Sequence, residues 1–273
     1  MSVRTPAAKR LLKRWSRRAM IRASGLVHPR RVGLSRGLRI LTYHRVAETP
    51  VDPFSVSPRD FAAQMQILSD TRAVLPLETT LRALDGGDGE VPRIVLTFDD
   101  GTRDFVTEAL PVLSRLSLPA TLYVSPALVG REGYLDWSDL DSVAQAPGIT
   151  LGSHGLDHQS LGKLDPETVW LQVSRSRQQI EDRLGRSVTS MAYPYGTRRD
   201  FNQVVKELVQ KAGYQAACTS MNGVNQSHVD RYELKRTKIE QGDRTIFSKI
   251  LLGRLDGWAL IDRYLWSLQS RYA

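Results

Sequence analysis

Residues 93–101, RIVLTFDDG, join an almost entirely apolar run to two adjacent carboxylates and a glycine. A short apolar run of this kind is typical of a strand that is buried on both faces of a parallel sheet. Active sites of such folds lie at the carboxyl ends of the strands, which is where Asp99 and Asp100 stand. Gly101 allows the turn that lets both carboxylates face one cavity. This strand is therefore the predicted centre of the fold.

Short β-type runs alternate with amphipathic helical patterns on both sides of this strand. The other predicted strands are residues 38–43, 120–124, 149–153, 188–193, 214–219 and 234–239. Predicted helices begin after the N-caps Ser57 and Asp165, each followed by a proline at the first helical position. About seven β/α alternations predict an α/β fold whose parallel sheet is long enough to close into a barrel.

The composition separates a basic N-terminal arm from an acidic domain. Residues 1–39 hold 12 Lys/Arg and no acid, which leaves 26 of the 38 Lys/Arg against all 29 Asp/Glu in the remainder, a net charge of −3. No stretch approaches the roughly 18 continuous apolar residues of a membrane-spanning helix. The single cysteine, Cys218, excludes an intramolecular disulfide framework. The predicted division is an arm of residues 1–37 and a domain of residues 38–273.

The arm has the pattern of a basic amphipathic helix over residues 6–24, with Leu11, Leu12, Trp15 and Ala19 near one side. This pattern is typical of an interfacial membrane anchor, because anionic lipid attracts the cations. A solvated basic tail and a nucleic-acid-binding segment are the alternatives. The basic start is not followed by the apolar h-region of a secretory signal. We expect a cytoplasmic protein whose arm contacts the inner face of an anionic membrane.

A second polar cluster follows the predicted strand at residues 149–153. His154 and His158 are four residues apart, so both imidazoles can reach one cation. Two imidazoles and one carboxylate leave one coordination position open, which is the arrangement of catalytic zinc sites and one that iron, cobalt or nickel tolerates. The other carboxylate of the Asp-Asp pair is then free to act as a general base. The sequence therefore predicts a metal centre at this end of the barrel.

The order of the motifs is similar to that of one known family. The motifs are YHRV (43–46), TFDDG (97–101), LPATLYV (118–124), YLDW (134–137), SHGLDH (153–158) and YPYG (193–196). Over residues 38–240 the chain resembles the polysaccharide deacetylases of the NodB-homology group, carbohydrate esterase family four. The resemblance implies a distorted (β/α) barrel that hydrolyses the N-acetyl groups of amino-sugar residues with one divalent metal ion.

The resemblance also implies a role for each matched residue. Asp99 is the expected general base, and the backbone N–H of Tyr195 is the expected oxyanion donor. The expected ligands of one divalent ion, zinc or else cobalt or nickel, are Asp100, His154 and His158. Four further residues are assigned to the substrate pocket: Asp136, Trp137, Tyr193 and Pro194.

Two departures from the family pattern leave part of the chemistry open. The arginine that pairs with the base is replaced by Ala192, so Arg198 or Arg199 from the following loop is a candidate substitute. The late Leu-x-His motif that supplies the general acid has no match. His44 ends the first predicted strand and is our candidate for that role, the alternative being a histidine satisfied by neighbouring backbone. Asp157 is a candidate for orienting a ligating histidine.

The sequence therefore predicts a metal-dependent hydrolase that removes N-acetyl groups from a polysaccharide or a lipid-linked glycan. The missing arginine and late histidine motivate one alternative, a catalytically impaired carbohydrate-binding pseudoenzyme of the same fold. The net charge of +9 motivates a nucleic-acid-binding protein, against which the acidic domain argues.

Overall fold

The computed structural model describes residues 15–23, 34–86 and 91–264. Its strands are β1 (Leu38–Tyr43), β2 (Arg45–Val46), β3 (Ser55–Val56), β4 (Arg93–Phe98), β5 (Ala120–Val124), β6 (Ile149–Ser153), β7 (Ser190–Ala192), β8 (Ala216–Cys218) and β9 (Arg236–Lys238). The short strands β2 and β3 pair with each other. All the others form one parallel sheet in the order β8-β7-β6-β5-β4-β1-β9.

Helices surround this sheet. They are α1 (residues 15–23), α2 (Pro58–Thr71), α3 (Leu77–Asp85), α4 (Leu110–Arg115), α5 (Trp137–Gln145), α6 (Pro166–Leu184), α7 (Gln203–Lys211), α8 (Phe247–Leu251) and α9 (Trp258–Tyr264). A π-helical segment, Phe105–Ala109, leads into α4, and 3-10 turns occur at Pro126–Leu128, Leu161–Lys163 and Asp243–Ile246. Within the described ranges, no helix is long and apolar enough to cross a bilayer.

The sheet closes into a barrel at Leu234, just before β9. The Leu234 N–H donates to the carbonyl of Ala217 at 3.0 Å, and the Leu234 carbonyl accepts from the Thr219 N–H at 2.8 Å. These bonds join β8 to the segment that enters β9, the opposite edge of the sheet. The seven-stranded parallel barrel predicted from the sequence is thus confirmed.

The interior of the barrel has its own apolar cluster, separate from the layer between strands and helices. Alternate residues of the strands, such as Ile40, Val95 and Cys218, pack there against Leu81 and Leu84 of α3. Because these strand residues point away from the outer helices, α3 covers one end of the barrel interior. The other end, at the carboxyl ends of the strands, is left for polar side chains.

The predicted elements agree closely with the structure where local signals are strong. The strands predicted at 38–43, 93–98, 120–124 and 149–153 have those bounds, whereas the last three are shorter than predicted. The Ser57 side chain accepts the Asp60 N–H at 3.2 Å and so caps α2. Asp165 caps α6 in the same way, and Gly185 ends that helix in the left-handed conformation.

Helix α1 packs on the barrel domain through a buried arginine. Arg17 donates to Glu240 at 3.2 Å and to Asp243 at 2.6 Å, and all three side chains are almost wholly buried. Ile21, one turn later, is buried beside it. An amphipathic helix with Trp15 and Ala19 on its apolar side would leave Arg17 on the solvated side. The structure instead places Arg17 inside, because two buried carboxylates require a counter-charge.

The rest of the predicted arm, residues 1–14 and 24–33, lies outside the described residues. The division at residue 37 therefore stays a prediction for those segments. The helix that is described contacts the domain instead of standing apart from it.

Candidate active site

Three side chains from two strand ends converge at the carboxyl edge of the sheet. Asp100 follows β4, and His154 and His158 follow β6. The Asp100 Oδ1 lies 3.5 Å from His154 Nε2 and 3.3 Å from His158 Nε2. One ligand atom from each side chain lies within 4.8 Å of the other two. The structure thus brings together the three residues that the sequence analysis assigned to a metal ion.

The chemistry of this cluster suits a divalent cation. His154 Nδ1 lies 2.7 Å from the carbonyl oxygen of Ala192, which can only accept, so this nitrogen donates and Nε2 keeps its lone pair. The Ala192 carbonyl therefore orients the ring, which is the role considered for Asp157. The Asp157 carboxylate instead accepts from Gln172 Nε2 at 2.7 Å. Two imidazoles and one carboxylate are the donor set of a catalytic zinc site.

Burial and neighbouring charges set the protonation of these groups. Burial by itself raises the pKa of Asp100, but the hydrogen bond with His158 and the charges of the nearby histidines lower it well below its usual range. Burial lowers the pKa of His154 to about 4, although Asp99 and Asp100 oppose that shift. At neutral pH Asp100 is therefore ionised and His154 is neutral, the states that a metal ligand requires.

Asp99 is held by a buried arginine that the sequence analysis did not identify. Arg236 on β9 donates Nη1 to Asp99 Oδ1 and Nη2 to Asp99 Oδ2, each at 2.7 Å, and donates Nε to the Thr219 carbonyl at 2.7 Å. The exposed fractions of Asp99 and Arg236 are 2% and 1%. Burial alone would raise the pKa of Asp99, but Arg236 and then His154 lower it below its usual range. The carboxylate is therefore ionised and fixed in orientation.

Arg236 occupies the role for which the sequence analysis proposed Arg198 or Arg199. Both of those side chains are exposed on the loop after β7, and neither reaches into the barrel. The sequence carried one signal that could have found Arg236. Leu234 and Arg236 have the spacing of the late Leu-x-His motif, with arginine in place of histidine. Strand β9 thus supplies, through Arg236, the positive charge that Ala192 cannot provide.

His44 lies beside Asp99 at the end of β1. Its Nε2 is 3.8 Å from Asp99 Oδ2, and its ring stacks on Phe54 with 4.9 Å between ring centroids. Its Nδ1 is buried and has no hydrogen-bond partner among the described residues. The His44 ring nitrogen Nδ1 is therefore not hydrogen-bonded to neighbouring backbone, which was the alternative considered for this residue.

Three of the six non-glycine residues with a positive φ angle in the described ranges lie at this edge of the barrel. Asp100, His158 and Tyr195 have φ angles of 75°, 64° and 60°, in the left-handed region that non-glycine residues rarely adopt. Gly101, at φ 67°, turns the chain as predicted, and a Cβ there would lie 2.8 Å from Val124 Cγ1. Strained residues of this kind persist where the surrounding structure holds them, often at functional sites.

The pocket residues drawn from the YPYG motif differ in exposure. Tyr193 is fully buried, donates to the Tyr232 carbonyl at 2.9 Å and stacks on Phe201. Its ring therefore supports the loop from within the core instead of lining a pocket. Pro194 is also buried. Tyr195 is half exposed, and its ring centroid lies 4.9 Å from that of His158.

The two residues of the YLDW motif lie at the start of α5. Asp136 is the N-cap of that helix and accepts the Asp139 N–H at 2.8 Å, so its carboxylate has a capping role. Trp137 is partly buried against the core, and the Arg183 guanidinium lies 5.6 Å from its ring centroid. Neither of these contacts involves the Asp-His-His cluster, and the role of Trp137 in substrate binding stays a prediction.

Part of the chain is similar to known polysaccharide deacetylases. Residues 86–217, just under half of the chain, match the polysaccharide deacetylase family. YxkH of Bacillus subtilis, which is named as a polysaccharide deacetylase, is 27% identical over 207 residues, 75% of this chain and 72% of that protein. The peptidoglycan-N-acetylglucosamine deacetylase PgdA of Listeria monocytogenes is 33% identical over 117 residues, which are 42% of this chain and only 24% of PgdA.

Solved structures of low sequence identity share the barrel. The Streptococcus pyogenes deacetylase PplD, in complex with acetate, has a TM-score of 0.72 at 23% identity, over 79% of this chain and 98% of PplD. IcaB from Ammonifex degensii has a TM-score of 0.69 at 23% identity, over 81% of this chain and 99% of IcaB. These likenesses establish the fold.

Removal of a ligand is expected to abolish metal binding without unfolding the protein. The full-length chain, loaded with zinc and freed of excess by gel filtration, should carry about one ion per chain by elemental analysis. His154→Ala and Asp100→Ala should each lose it, since two donors hold a divalent ion poorly. His228→Ala, a histidine outside the cluster, is the control. Equal metal content in His154→Ala and His228→Ala would contradict the assignment.

Proposed function

We propose that this protein, whose residues 86–217 match the polysaccharide deacetylase family, removes N-acetyl groups from the amino-sugar residues of a polysaccharide or lipid-linked glycan. The observation that carries this proposal is the arrangement of Asp99. An ionised carboxylate, fixed by Arg236, lies beside the Asp-His-His cluster at the open end of the barrel. A general base next to a metal-ligand set is what metal-assisted amide hydrolysis requires.

Asp100, His154 and His158 would hold one divalent ion, zinc or else cobalt or nickel. When bound there, such an ion supplies Lewis acidity to the acetyl carbonyl and lowers the pKa of the attacking water. The neutral state of His154 and the ionised state of Asp100 support this role. The Ala192 carbonyl keeps the His154 ring turned so that Nε2 faces the other ligands.

Asp99 takes the proton of the attacking water. Arg236 holds both carboxylate oxygens, so the base is fixed in orientation before the substrate arrives. The backbone N–H of Tyr195 is the proposed donor to the oxyanion that forms on the acetyl group. Its left-handed backbone and its contact with His158 support this assignment. Donors of this kind contribute roughly 10²–10³ in rate.

His44 is the proposed donor of a proton to the leaving amine. Cleavage of the C–N bond releases acetate and leaves the electron pair on nitrogen, which must then be protonated. His44 stands next to Asp99, and Phe54 fixes the plane of its ring. The proton that Asp99 takes from water and the proton given to the amine thus pass through neighbouring side chains.

The nature of the substrate is proposed by analogy with the relatives. PgdA acts on N-acetylglucosamine in peptidoglycan, which supports a glycan of N-acetylated glucosamine. The basic residues 1–37 support a position in the cytoplasm at the inner face of an anionic membrane. The alternative of an impaired pseudoenzyme is weakened, because Arg236 pairs with Asp99 in place of the arginine that is absent at Ala192.

Asp99→Asn is expected to abolish acetate release from N-acetylated glucosamine oligomers by the zinc-loaded, full-length protein. The amide cannot accept the proton of water, so the rate should fall at least about 10³-fold. Asp141→Asn, on the exposed surface of α5, should retain the wild-type rate. A coupled acetate assay measures both. If the metal-loaded wild type releases no acetate from these oligomers or from peptidoglycan, the pseudoenzyme is favoured.

His44→Ala is expected to lower kcat about 10²-fold, because the leaving amine loses its proton donor. Metal content should be unchanged, since His44 is not one of the proposed ligands. His228→Ala provides a histidine control on a surface loop. A kcat for His44→Ala within about twofold of the wild type would remove His44 from the mechanism.

A further inference from the structure

Helix α1 is held at the same edge of the barrel as the candidate active site. The Arg17 guanidinium donates to the carbonyl oxygen of Lys238 at 3.3 Å, in addition to its bonds with Glu240 and Asp243. Lys238 is the last residue of β9, and the carboxyl ends of all the barrel strands lie at one edge. The helix is therefore fastened to the rim that carries Asp99.

A series of side-chain contacts connects the strand end that binds α1 with the reacting groups. The Lys238 Nζ lies 5.6 Å from the centroid of the Phe54 ring, and that ring stacks on His44. His44 in turn lies 3.8 Å from Asp99. Two side chains therefore separate the strand end that binds Arg17 from the candidate general base.

Buried contacts fix which face of α1 points outward. Arg17 and Ile21 are buried, and Met20 is partly buried and packs against the hydrophobic core. The exposed residues are therefore Trp15, Arg18 and Arg22, together with Ala19 and Ala23. The Trp15 side chain is 70% exposed, the largest such fraction among the exposed large hydrophobic residues in the described ranges. We call Trp15, Arg18 and Arg22 the outer face of α1.

The outer face combines two features that an anionic bilayer recognises. An indole ring prefers the interface between water and lipid, where its apolar body and its N–H are both satisfied. Arginines attract anionic headgroups, and the preceding sequence adds Lys9, Arg10, Lys13 and Arg14. No acidic residue occurs in residues 1–39, so this segment carries no charge of opposite sign. The domain behind it is acidic, which directs the attraction to α1.

We infer that the outer face of α1 binds the surface of an anionic bilayer and thereby brings the active-site rim to glycans attached to that membrane. The first half of this inference is independent of the reaction, whereas the second half rests on the proposed deacetylase function. Because Arg17 fastens α1 to the end of β9, membrane binding orients the barrel. A flexible tether would hold the protein near the membrane without that orientation.

Binding is tested with full-length protein and sedimented vesicles. The wild type should bind vesicles that contain phosphatidylglycerol at about 0.15 M salt and should not bind phosphatidylcholine alone. A variant that carries both Arg18→Gln and Arg22→Gln, the α1 double variant, should bind about 25-fold more weakly, because each arginine contributes about fivefold. The matched control is Arg175→Gln with Arg186→Gln, which removes two exposed arginines across the barrel and should bind like the wild type.

Three results would overturn the binding inference. The first is an equal loss of binding in the two double variants, which would mean that overall charge decides. The second is wild-type binding both by Trp15→Ser and by the α1 double variant, measured as separate proteins. The third is an absence of vesicle binding with tight, salt-sensitive binding of single-stranded RNA, which would assign the outer face to nucleic acid.

Activity on two substrates separates this inference from the proposed function. On a soluble N-acetylated oligomer, the wild type and the α1 double variant should release acetate at equal rates, because α1 supplies no reacting group. On the same oligomer attached to a lipid in anionic vesicles, the α1 double variant should be slower by about the same factor as its loss of binding. Equal rates on the vesicles would overturn the membrane role, and no acetate from either substrate would overturn the deacetylase.

Discussion

The bidentate ion pair between Asp99 and Arg236 is buried inside the barrel, where neither charge is stable alone. Burying the carboxylate or the guanidinium without its partner would cost several kcal/mol of desolvation free energy that nothing offsets. Asp99 directly follows β4 and Arg236 begins β9. Strand β1 lies between them, with Ile40 opposite Arg236 and Thr42 opposite Thr97. The pair therefore fixes the register of three neighbouring strands. The same ion pair holds the candidate base ionised and aimed at the open end of the barrel.

The rest of the site is arranged around this carboxylate. Asp100, the next residue, turns away through a left-handed conformation and meets the two histidines that follow β6. The Ala192 carbonyl orients His154, so the end of β7 contributes backbone where the related deacetylase motif is expected to contribute an arginine side chain. The positive charge beside Asp99 comes from Arg236 on β9, and the histidine beside Asp99 is His44, which follows β1. The proposed deacetylase chemistry thus uses an arginine from β9 and a histidine that follows β1.

Local sequence patterns predicted most of the fold and the clustering of the Asp-Asp pair with the two histidines, because those features depend on neighbouring residues. Apolar runs, proline at N1 and the capping residues Ser57 and Asp165 gave the strands and helices. Helix α3 was not predicted from the sequence, because it begins without a side-chain cap. Arg17 and Arg236 were missed for a different reason. Their carboxylate partners lie 226 and 137 residues away, and periodicity does not indicate which buried position carries a charge.

The most direct test of this account is the kcat of Arg236→Lys beside that of Arg198→Lys, measured as acetate release from an N-acetylated glucosamine oligomer. Lysine keeps the positive charge but cannot form the two parallel hydrogen bonds to Asp99. We expect kcat to fall about 10²-fold for Arg236→Lys, with KM within about twofold of the wild type, and wild-type values for Arg198→Lys. Equal kcat values for the two variants, both folded by circular dichroism, would contradict it.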